Sequence, residues 1–256
     1  MIDQKIQDII RAHNIFSHQN SGVTVLKVTD KEAGSVLAQE IITAVTDRHT
    51  MLFLSGGTTP DRLYELLSGD DAFLPGAVGL IDERYGARLH DNSNEFMIQQ
   101  TGLLRYLTLR DIPFYPILSD LDLMETADAS AEAYDEKIRS LGAVFHKSIG
   151  ILGVGKDGHT AGIAGNRRNF TNQIFSDKSA LVSCFDDSTG PFKKRITMTF
   201  TGLEMLDFIV VLAFGPDKLQ ALEETFSPGS REVIPARFYT NPGVAAKTLF
   251  ITDQKV

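Results

Sequence analysis

Residues 51–67 read MLFLSGGTTPDRLYELL, and this stretch contains one complete strand, loop and helix. Residues 51–54 are apolar throughout, which is typical of a strand covered on both faces of a sheet. After the two glycines, Leu63, Leu66 and Leu67 recur at helical spacing and share one face. The stretch therefore predicts a buried strand that runs through a short loop into an amphipathic helix.

Similar apolar runs recur along the whole chain. They are VTVLKV (23–28), VGLID (78–82), IGILGV (149–154), FIVVLAF (208–214) and TLFIT (248–252). Segments with helical spacing lie between them, at Ala33 to Ile41 and at Tyr134 to Leu141. Strands that alternate with helices indicate βαβ units, so we expect an α/β fold with a mainly parallel β-sheet flanked by helices.

The chain shows no internal repeat and no Pro/Ser-rich linker, so we expect a single domain over residues 1–256. A loop-rich region at 165–191 is the alternative place for a boundary. Hydrophobic content of 43% and charged content of 23% are ordinary for a folded globular protein. The length is sufficient for one large α/β domain.

The net charge of −8 argues against a general nucleic-acid binder, because phosphate backbones are held by excess Lys and Arg. Any anionic ligand must therefore meet a local positive site. Cys184 is the only cysteine, so no intrachain disulfide is possible and no cysteine-based zinc cluster exists.

The first residues carry acids where a signal peptide would carry a basic start, and the longest apolar run is too short to span a bilayer. We therefore expect a cytoplasmic protein that does not enter a membrane.

Polar chemistry follows the end of the strand at 51–54. Gly56 and Gly57 let the backbone approach a ligand, and the hydroxyls of Thr58 and Thr59 can donate to an anion beside the free amides of the helix start. This pattern is typical of a phosphate cradle, although it matches neither a Walker A loop nor GxGxxG. The alternative is a plain turn in which Thr59 is the helix N-cap. Asp61 in the first turn competes for the positive end of the helix.

Two further strand ends carry charge. Asp82, Glu83 and Arg84 follow the strand at 78–81 and belong at the rim of the sheet, where ligands bind in open α/β folds; a simple Arg84 salt bridge is the alternative. The run GILGVGKDGHTA (150–161) ends with Asp157 two residues before His159, which suggests a base and its orienting acid. No HExxH and no GxSxG motif is present, so we expect neither a metal site nor a serine nucleophile elbow.

Taken in order, several motifs resemble the 6-phosphogluconolactonase family. They are SGGTTP, DER with Ser93 and Asn94, GVGKDGHTA, KRITMTF (194–200), FGPDKLQAL (214–222), IPA (234–236) and the closing LFITD. The resemblance runs from the first loop to the end of the chain. The same superfamily contains glucosamine-6-phosphate deaminases, which have a glutamate where this chain has Ala164 and a tyrosine where it has Arg84.

Two segments depart from the lactonase pattern. After DGHTA the family usually continues Ser-Leu-Phe-Pro-Gly, whereas residues 162–166 here read GIAGN and are followed by Arg167 and Arg168. After DER the family usually continues toward a Val-Pro pair, whereas residues 85–87 here read YGA. The identity of the substrate is the property that these departures affect most.

The resemblance implies a Rossmann-like, sugar-phosphate isomerase-like fold and metal-free hydrolysis of 6-phosphoglucono-δ-lactone in the pentose phosphate pathway, with no cofactor. It makes His159 the general base, Asp157 its orienting partner and Arg84 the cation at the oxyanion. The implied substrate-binding residues are Gly56, Gly57, Thr58, Thr59, Asp82, Asn94, Arg195 and Lys218. Lys156 is left without a role.

Two alternative functions stay open. One is a glucosamine-6-phosphate deaminase or isomerase in which Asp82 transfers the proton. The other is a sensor that binds a sugar phosphate without turning it over. In each case the partner is a small sugar phosphate, the chain is a monomer or a homodimer, and neither nucleic acid nor membrane is involved.

Overall fold

The computed structural model describes residues 3–119, 126–165, 178–187 and 192–256, and eight strands in these ranges form one large sheet. The strands are β1 (Phe16–Asn20), β2 (Val23–Lys27), β3 (Thr50–Leu54), β4 (Ala77–Leu80), β6 (Phe114–Tyr115), β7 (Lys147–Gly153), β10 (Phe208–Ala213) and β11 (Thr248–Thr252). Their spatial order is β1-β2-β11-β10-β7-β3-β4-β6. Every neighbouring pair is parallel except β1 with β2.

Helices connect and cover these strands. Within the described ranges they are α1 (Gln4–Ala12), α2 (Lys31–Val45), α3 (Asp61–Ser68), α4 (Asn94–Gln100), α5 (Leu103–Leu109), α6 (Ala127–Gly142), α7 (Phe200–Glu204), α8 (Leu219–Phe226) and α9 (Pro242–Ala245). Two 3-10 turns span Pro216–Lys218 and Pro235–Thr240. None of the helices in these ranges is long and apolar enough to cross a bilayer.

All six apolar runs of the sequence form strands of the large sheet, so the predicted α/β fold with a mainly parallel sheet is confirmed. Strands β3, β4 and β11 are buried along their whole length, which explains why they carry no polar alternation. The buried apolar side chains form one continuous cluster that extends from Ile6 to Ile251. Residues 166–177 and 188–191, where the alternative domain boundary was expected, lie outside the described residues.

A second, three-stranded antiparallel sheet differs from expectation. It contains β5 (Asp82–Arg84), β9 (Lys194–Met198) and β8 (Val182–Asp186), in the order β5-β9-β8. The run 78–82 is therefore two strands: Ile81 donates its N–H to Leu54 in one sheet, and its carbonyl accepts from Met198 in the other. Asp82, Glu83 and Arg84, which were expected at the rim of the sheet, form a short strand of this second sheet.

The strand order places the carboxyl ends of β10, β7, β3 and β4 side by side. The chain leaves β3 toward β4 and β6, and later returns to the opposite side of β3 as β7. Such a reversal opens a crevice between the two adjacent strands, which is where open α/β sheets bind ligands. All three polar segments singled out in the sequence emerge at this edge.

Candidate active site

The loop after β3 forms one wall of a cleft at this edge. A Cβ atom on Gly56 would lie 1.9 Å from Oδ1 of Asn94, and Gly57 has a φ of 94°. Only glycine satisfies both requirements, because one position has no room for a side chain and the other needs left-handed backbone. The glycine pair therefore has a steric reason as well as the predicted role in ligand approach.

Helix α3 begins at Asp61, after Pro60 in the N-cap position, and no side chain among the described residues caps it. The alternative in which Thr59 is the N-cap is therefore wrong. Lys31 donates to the carbonyl of Thr58 at 2.6 Å and pairs with Asp61 at 2.5 Å. This lysine offsets the acidic charge that competes with an anion at the start of the helix.

Strand β5 places three acidic and basic side chains in different surroundings. Asp82 is buried on the cleft wall, Glu83 is fully buried, and Arg84 is partly buried. Glu83 accepts the N–H groups of Arg84 and Asn94 through Oε1, at 2.7 and 2.6 Å, and that of Glu95 through Oε2, at 2.9 Å. Burial raises the pKa of Glu83 to about 7, although the three N–H donors oppose the shift.

The Arg84 guanidinium is held by a backbone carbonyl and an aromatic ring. Its Nη1 donates to the carbonyl of Asn92 at 2.8 Å, and its Cζ lies 4.9 Å from the centroid of Phe192. Burial lowers the pKa of Arg84 from its usual value, and the nearby Arg195 adds to the effect. A negative charge bound in the cleft would therefore stabilise the charged form of Arg84.

Arg195 lies directly opposite Arg84 across the antiparallel pair of β5 and β9. Its Nε donates to Asp187 at 3.3 Å, and its Nη1 lies 3.8 Å from Oδ2 of Asp82. The same Phe192 ring is 5.5 Å from its Cζ. Two carboxylates thus compensate Arg195, which keeps the like-charged cross-strand pair stable.

The turn after β7 carries the histidine and its aspartate. The carbonyl of His159 accepts from Gly155 N–H at 2.8 Å, and Nδ1 of its ring lies 2.5 Å from Oδ1 of Asp157. The hydrogen bond from His159 holds the pKa of Asp157 well below its usual range, so the carboxylate stays ionised and Nδ1 is its donor. The second ring nitrogen, Nε2, is left for chemistry.

Glycine at position 155 makes room for the imidazole. A Cβ atom there would lie 2.0 Å from Cε1 of His159, whereas a Cβ on Gly153 would meet only ordinary contacts. Gly158 has a φ of 75°, which closes the tight turn. Of Gly153 and Gly155, the two glycines that precede this turn, Gly155 is thus the one that the histidine requires.

Two buried hydroxyls, those of Thr160 and Tyr239, stabilise the backbone of this turn. Thr160 Oγ1 donates to the carbonyl of Gly153 at 2.9 Å and lies 2.5 Å from the hydroxyl of Tyr239. Ala161 takes a φ of 51°, an uncommon conformation for a residue other than glycine, asparagine or aspartate. The network therefore holds the backbone on both sides of His159 in a defined shape.

The structure brings the predicted residues together in a cleft of about 360 Å³. Of the eleven predicted residues, Asp157 lies behind His159, to which it is hydrogen-bonded. The other ten line the cleft: Gly56, Gly57, Thr58, Thr59, Asp82, Arg84, Asn94, His159, Arg195 and Lys218. Sequence reasoning missed Phe192 and Ser55 as lining residues and gave Lys156 no role, yet all three line the cleft. Nothing local indicates the contact of Phe192 with Arg84, because β5 is far away in the chain.

The segment that departs from the family pattern begins on the cleft wall. Gly162 has a φ of 68°, and a Cβ there would lie 2.8 Å from Oδ2 of Asp82. Ile163 and Ala164 are buried. Because position 164 is an alanine, it offers no acid to the cleft. Asn166, Arg167 and Arg168 lie outside the described residues.

Comparisons with known proteins agree with this geometry. Residues 27–249 match a family model described as glucosamine-6-phosphate isomerases/6-phosphogluconolactonase. The 6-phosphogluconolactonase of Rhizobium meliloti is 28% identical over 191 residues, covering 73% of this chain and 77% of that protein. That of Thermotoga maritima is 30% identical over 177 residues, covering 67% and 72%.

A solved structure shares the fold. The 6-phosphogluconolactonase of Plasmodium vivax superposes with a TM-score of 0.75 at 18% identity and covers 99% of this chain and 97% of its own. At that identity the likeness supports the Rossmann-like, sugar-phosphate isomerase-like architecture alone. The family match covers far more than half of the sequence, and the chain belongs to the glucosamine-6-phosphate isomerase/6-phosphogluconolactonase family.

Proposed function

We propose that this chain is a 6-phosphogluconolactonase, which hydrolyses 6-phosphoglucono-δ-lactone to 6-phosphogluconate. The observation that carries the proposal is one cleft in which a histidine oriented by an aspartate faces a buried arginine and a glycine-threonine loop. A lactone is an activated ester, so a general base and a cation at the oxyanion are sufficient in kind for its hydrolysis. Relatives that carry this name support the same activity.

His159 acts as the general base in this proposal. Its Nε2 takes a proton from water while the water oxygen bonds to the lactone carbonyl carbon. The carbonyl electron pair moves to oxygen, and the charge of Arg84 stabilises the oxyanion. When the tetrahedral intermediate collapses, the bond to the ring oxygen breaks, and that oxygen takes the proton back from Nε2. Asp157 stabilises the imidazolium between these steps.

The substrate phosphate is proposed to bind the loop of Gly56, Gly57, Thr58 and Thr59. The hydroxyls of the two threonines have no hydrogen bond within the described ranges, and Lys218 lines the same cleft as a cation. Charge-assisted hydrogen bonds from such groups suit a phosphate dianion. A local cation also supplies what the net charge of −8 does not.

The sugar lies between this loop and the second sheet in our proposal. Asn94 is held by its Nδ2 on the carbonyl of Asp82 at 2.7 Å, and its Oδ1 is buried without a partner within the described ranges. Arg195 is already paired with two carboxylates, so we assign it a hydrogen-bonding contact with the substrate and the anchoring of Asp82.

We further propose that residues 1–256 act as one cytoplasmic sugar-phosphate-binding domain, as a monomer or a homodimer. The described residues share one continuous apolar core, which supports one domain. The chemistry above needs no cofactor and no metal ion, and the acidic net charge favours small-molecule substrates over nucleic acid.

A deaminase or isomerase activity is the second candidate, because Asp82 lies in the same cleft and a carboxylate there can transfer a proton. Against it, Ala164 replaces the glutamate that the deaminase pattern carries after its histidine. The buried methyl group at position 164 cannot replace that carboxylate.

A hydrolysis assay separates the candidates. Freshly made 6-phosphogluconolactone is supplied, the spontaneous rate is subtracted, and ammonia release from glucosamine 6-phosphate is measured in parallel. We expect catalysed lactone hydrolysis and no ammonia. Ammonia release without lactone hydrolysis would instead favour the deaminase. Binding of 6-phosphogluconate with no acceleration of hydrolysis would make the chain a sensor.

A further inference from the structure

Glu83 is a fully buried acid that lies between two proposed site residues and is not itself part of the cleft wall. No ion pair compensates it within the described ranges. Its carboxylate is satisfied instead by backbone N–H groups, two on Oε1 and one on Oε2. Because a buried charge costs free energy unless it is paired or hydrogen-bonded, these three donors explain how the acid is tolerated there.

Two of the three bonds join β5 to the start of α4, and the third, from Arg84, lies within β5. Asn94 and Glu95 are the first two residues of α4, and their N–H groups have no partner inside the helix. The hydroxyl of Ser93 takes the next N–H, that of Phe96, at 3.0 Å. Glu83 thus completes the cap of a helix that begins in the site and fixes it to the strand that carries Arg84.

Both neighbours of this junction contribute side chains to the cleft. The carboxamide of Asn94 reaches back to the carbonyl of Asp82, and the Arg84 guanidinium reaches across to the carbonyl of Asn92, just before α4. Each side chain therefore depends on the distance between β5 and α4. The carboxylate of Glu83 sets that distance through bonds of 2.6 and 2.9 Å.

We propose that Glu83 is a positioning residue, which aligns the Arg84 guanidinium with the Asn94 carboxamide by joining β5 to the start of α4. This inference rests on the proposed function for the roles of Arg84 and Asn94, but the joint itself is a property of the fold. Glu83 touches no substrate in this account, and its effect on catalysis passes through the two residues it holds.

Two substitutions of Glu83 leave different numbers of these three hydrogen bonds in place, so the loss of catalysis should follow the number that is removed. Glu83→Gln keeps a carbonyl oxygen that can accept from Arg84 and Asn94, and it loses the bond to Glu95. Glu83→Ala loses all three. We expect the alanine variant to lower kcat about 100-fold, the size of effect that a misplaced catalytic group has, and to raise KM several-fold. The glutamine variant should stay within about 10-fold of wild type.

A second readout does not depend on catalysis. Amide hydrogen exchange at Arg84, Asn94 and Glu95 reports the three bonds directly. Glu83→Ala should accelerate exchange at all three positions, and Glu83→Gln only at Glu95. The control is Asp207→Ala, which also removes an acceptor of a backbone N–H, that of Ser148 at 2.8 Å, but at the amino end of β7. This variant should lower Tm without changing kcat or KM per folded molecule.

The outcomes decide between positioning and plain stability. If Glu83→Ala lowered Tm and left kcat and KM per folded molecule at wild-type values, positioning would be excluded. Unchanged exchange at Asn94 in the alanine variant would exclude the joint itself. If the alanine variant did not fold, the glutamine variant would be used for the test. Its amide hydrogen exchange should be faster at Glu95 and unchanged at Arg84 and Asn94. If even the wild type hydrolysed no lactone, the proposed function would fail, while exchange and 6-phosphogluconate binding would still decide the role of Glu83.

Discussion

Oδ1 of Asp157 lies 2.5 Å from Nδ1 of His159, inside a turn that Gly155 and Gly158 close. The contact sets the tautomer of the imidazole, because an ionised carboxylate can only accept a hydrogen bond. Nδ1 therefore carries the proton and Nε2 is free to take one from water. The relationship makes the pair a base with its orienting acid, and it leads to the first prediction.

Replacing Asp157 with Asn should lower kcat by about 100-fold, the size of effect that a misplaced catalytic group has. The hydrogen bond from His159 holds the pKa of Asp157 well below its usual range, so the carboxylate is ionised and can only accept from Nδ1. An asparagine amide can donate as well as accept, so it no longer fixes Nδ1 as the protonated nitrogen and Nε2 as the base. Steady-state rates on the lactone measure the loss, and Tm serves as the control for folding. A variant that kept the wild-type kcat would contradict the pairing.

Gly155→Ala should disable the site while Gly153→Ala should not. A methyl group at position 155 would overlap the His159 ring, whereas one at position 153 would lie 3.5 Å from the nearest backbone oxygen. Displacing the base by about 1 Å costs on the order of 100-fold in rate. The comparison needs kcat for both variants and a Tm for each. Equal rates in the two variants would show that the glycine at 155 is not required for the ring.

Lys31→Met should raise KM with little effect on kcat. Lys31 lies outside the cleft but ties the carbonyl of Thr58 and the carboxylate of Asp61, so it steadies the loop proposed to bind phosphate. Partly exposed ion pairs contribute up to about 1 kcal/mol, which corresponds to a KM increase of up to about 5-fold. Lys5→Met is the matched control, since Lys5 also donates to a backbone carbonyl, that of Ala44. A KM change of equal size in both variants would argue against a loop effect.

Tyr134→Phe should destabilise the fold. The buried hydroxyl of Tyr134 donates to the carbonyl of Leu80 at 2.9 Å and accepts its N–H at 2.7 Å, where β4 ends before the second sheet. Removing it leaves two buried polar groups of the backbone unsatisfied, at a cost of about 1–3 kcal/mol in the free energy of unfolding. Denaturant titration measures this, with Tyr115→Phe as the half-buried control. A loss below about 0.5 kcal/mol would mean that the bonds contribute little.

Local patterns in the sequence were sufficient to predict the large sheet and the position of the cleft. Residues 51–54 and 208–213 are apolar throughout because both faces of their strands are covered, and that property is visible without any partner. The polar residues that follow such strands meet at one edge because parallel strands share their direction. The placement of His159 at this edge was predicted in this way, from its position after the apolar run at 149–154, and His159 does line the cleft.

The remaining features depend on contacts between distant parts of the chain. Strand β5 pairs with β9, so that Arg84 faces Arg195. The sequence around residue 84 does not predict this pairing. The same separation along the chain hides the contact of Phe192 with Arg84. The Lys31 contact with Thr58 and the cap that Glu83 gives to α4 join separate elements of the fold, and short-range patterns do not report them.

The most direct test of the account compares wild type with His159→Ala on freshly made 6-phosphogluconolactone, with the spontaneous rate subtracted. A general base contributes about 10²- to 10⁴-fold, so kcat should fall within that range. Affinity for 6-phosphogluconate, measured by calorimetry, should change by no more than a few-fold, because the phosphate loop is intact. A variant that hydrolysed the lactone at the wild-type rate would contradict the assignment of His159 as the base.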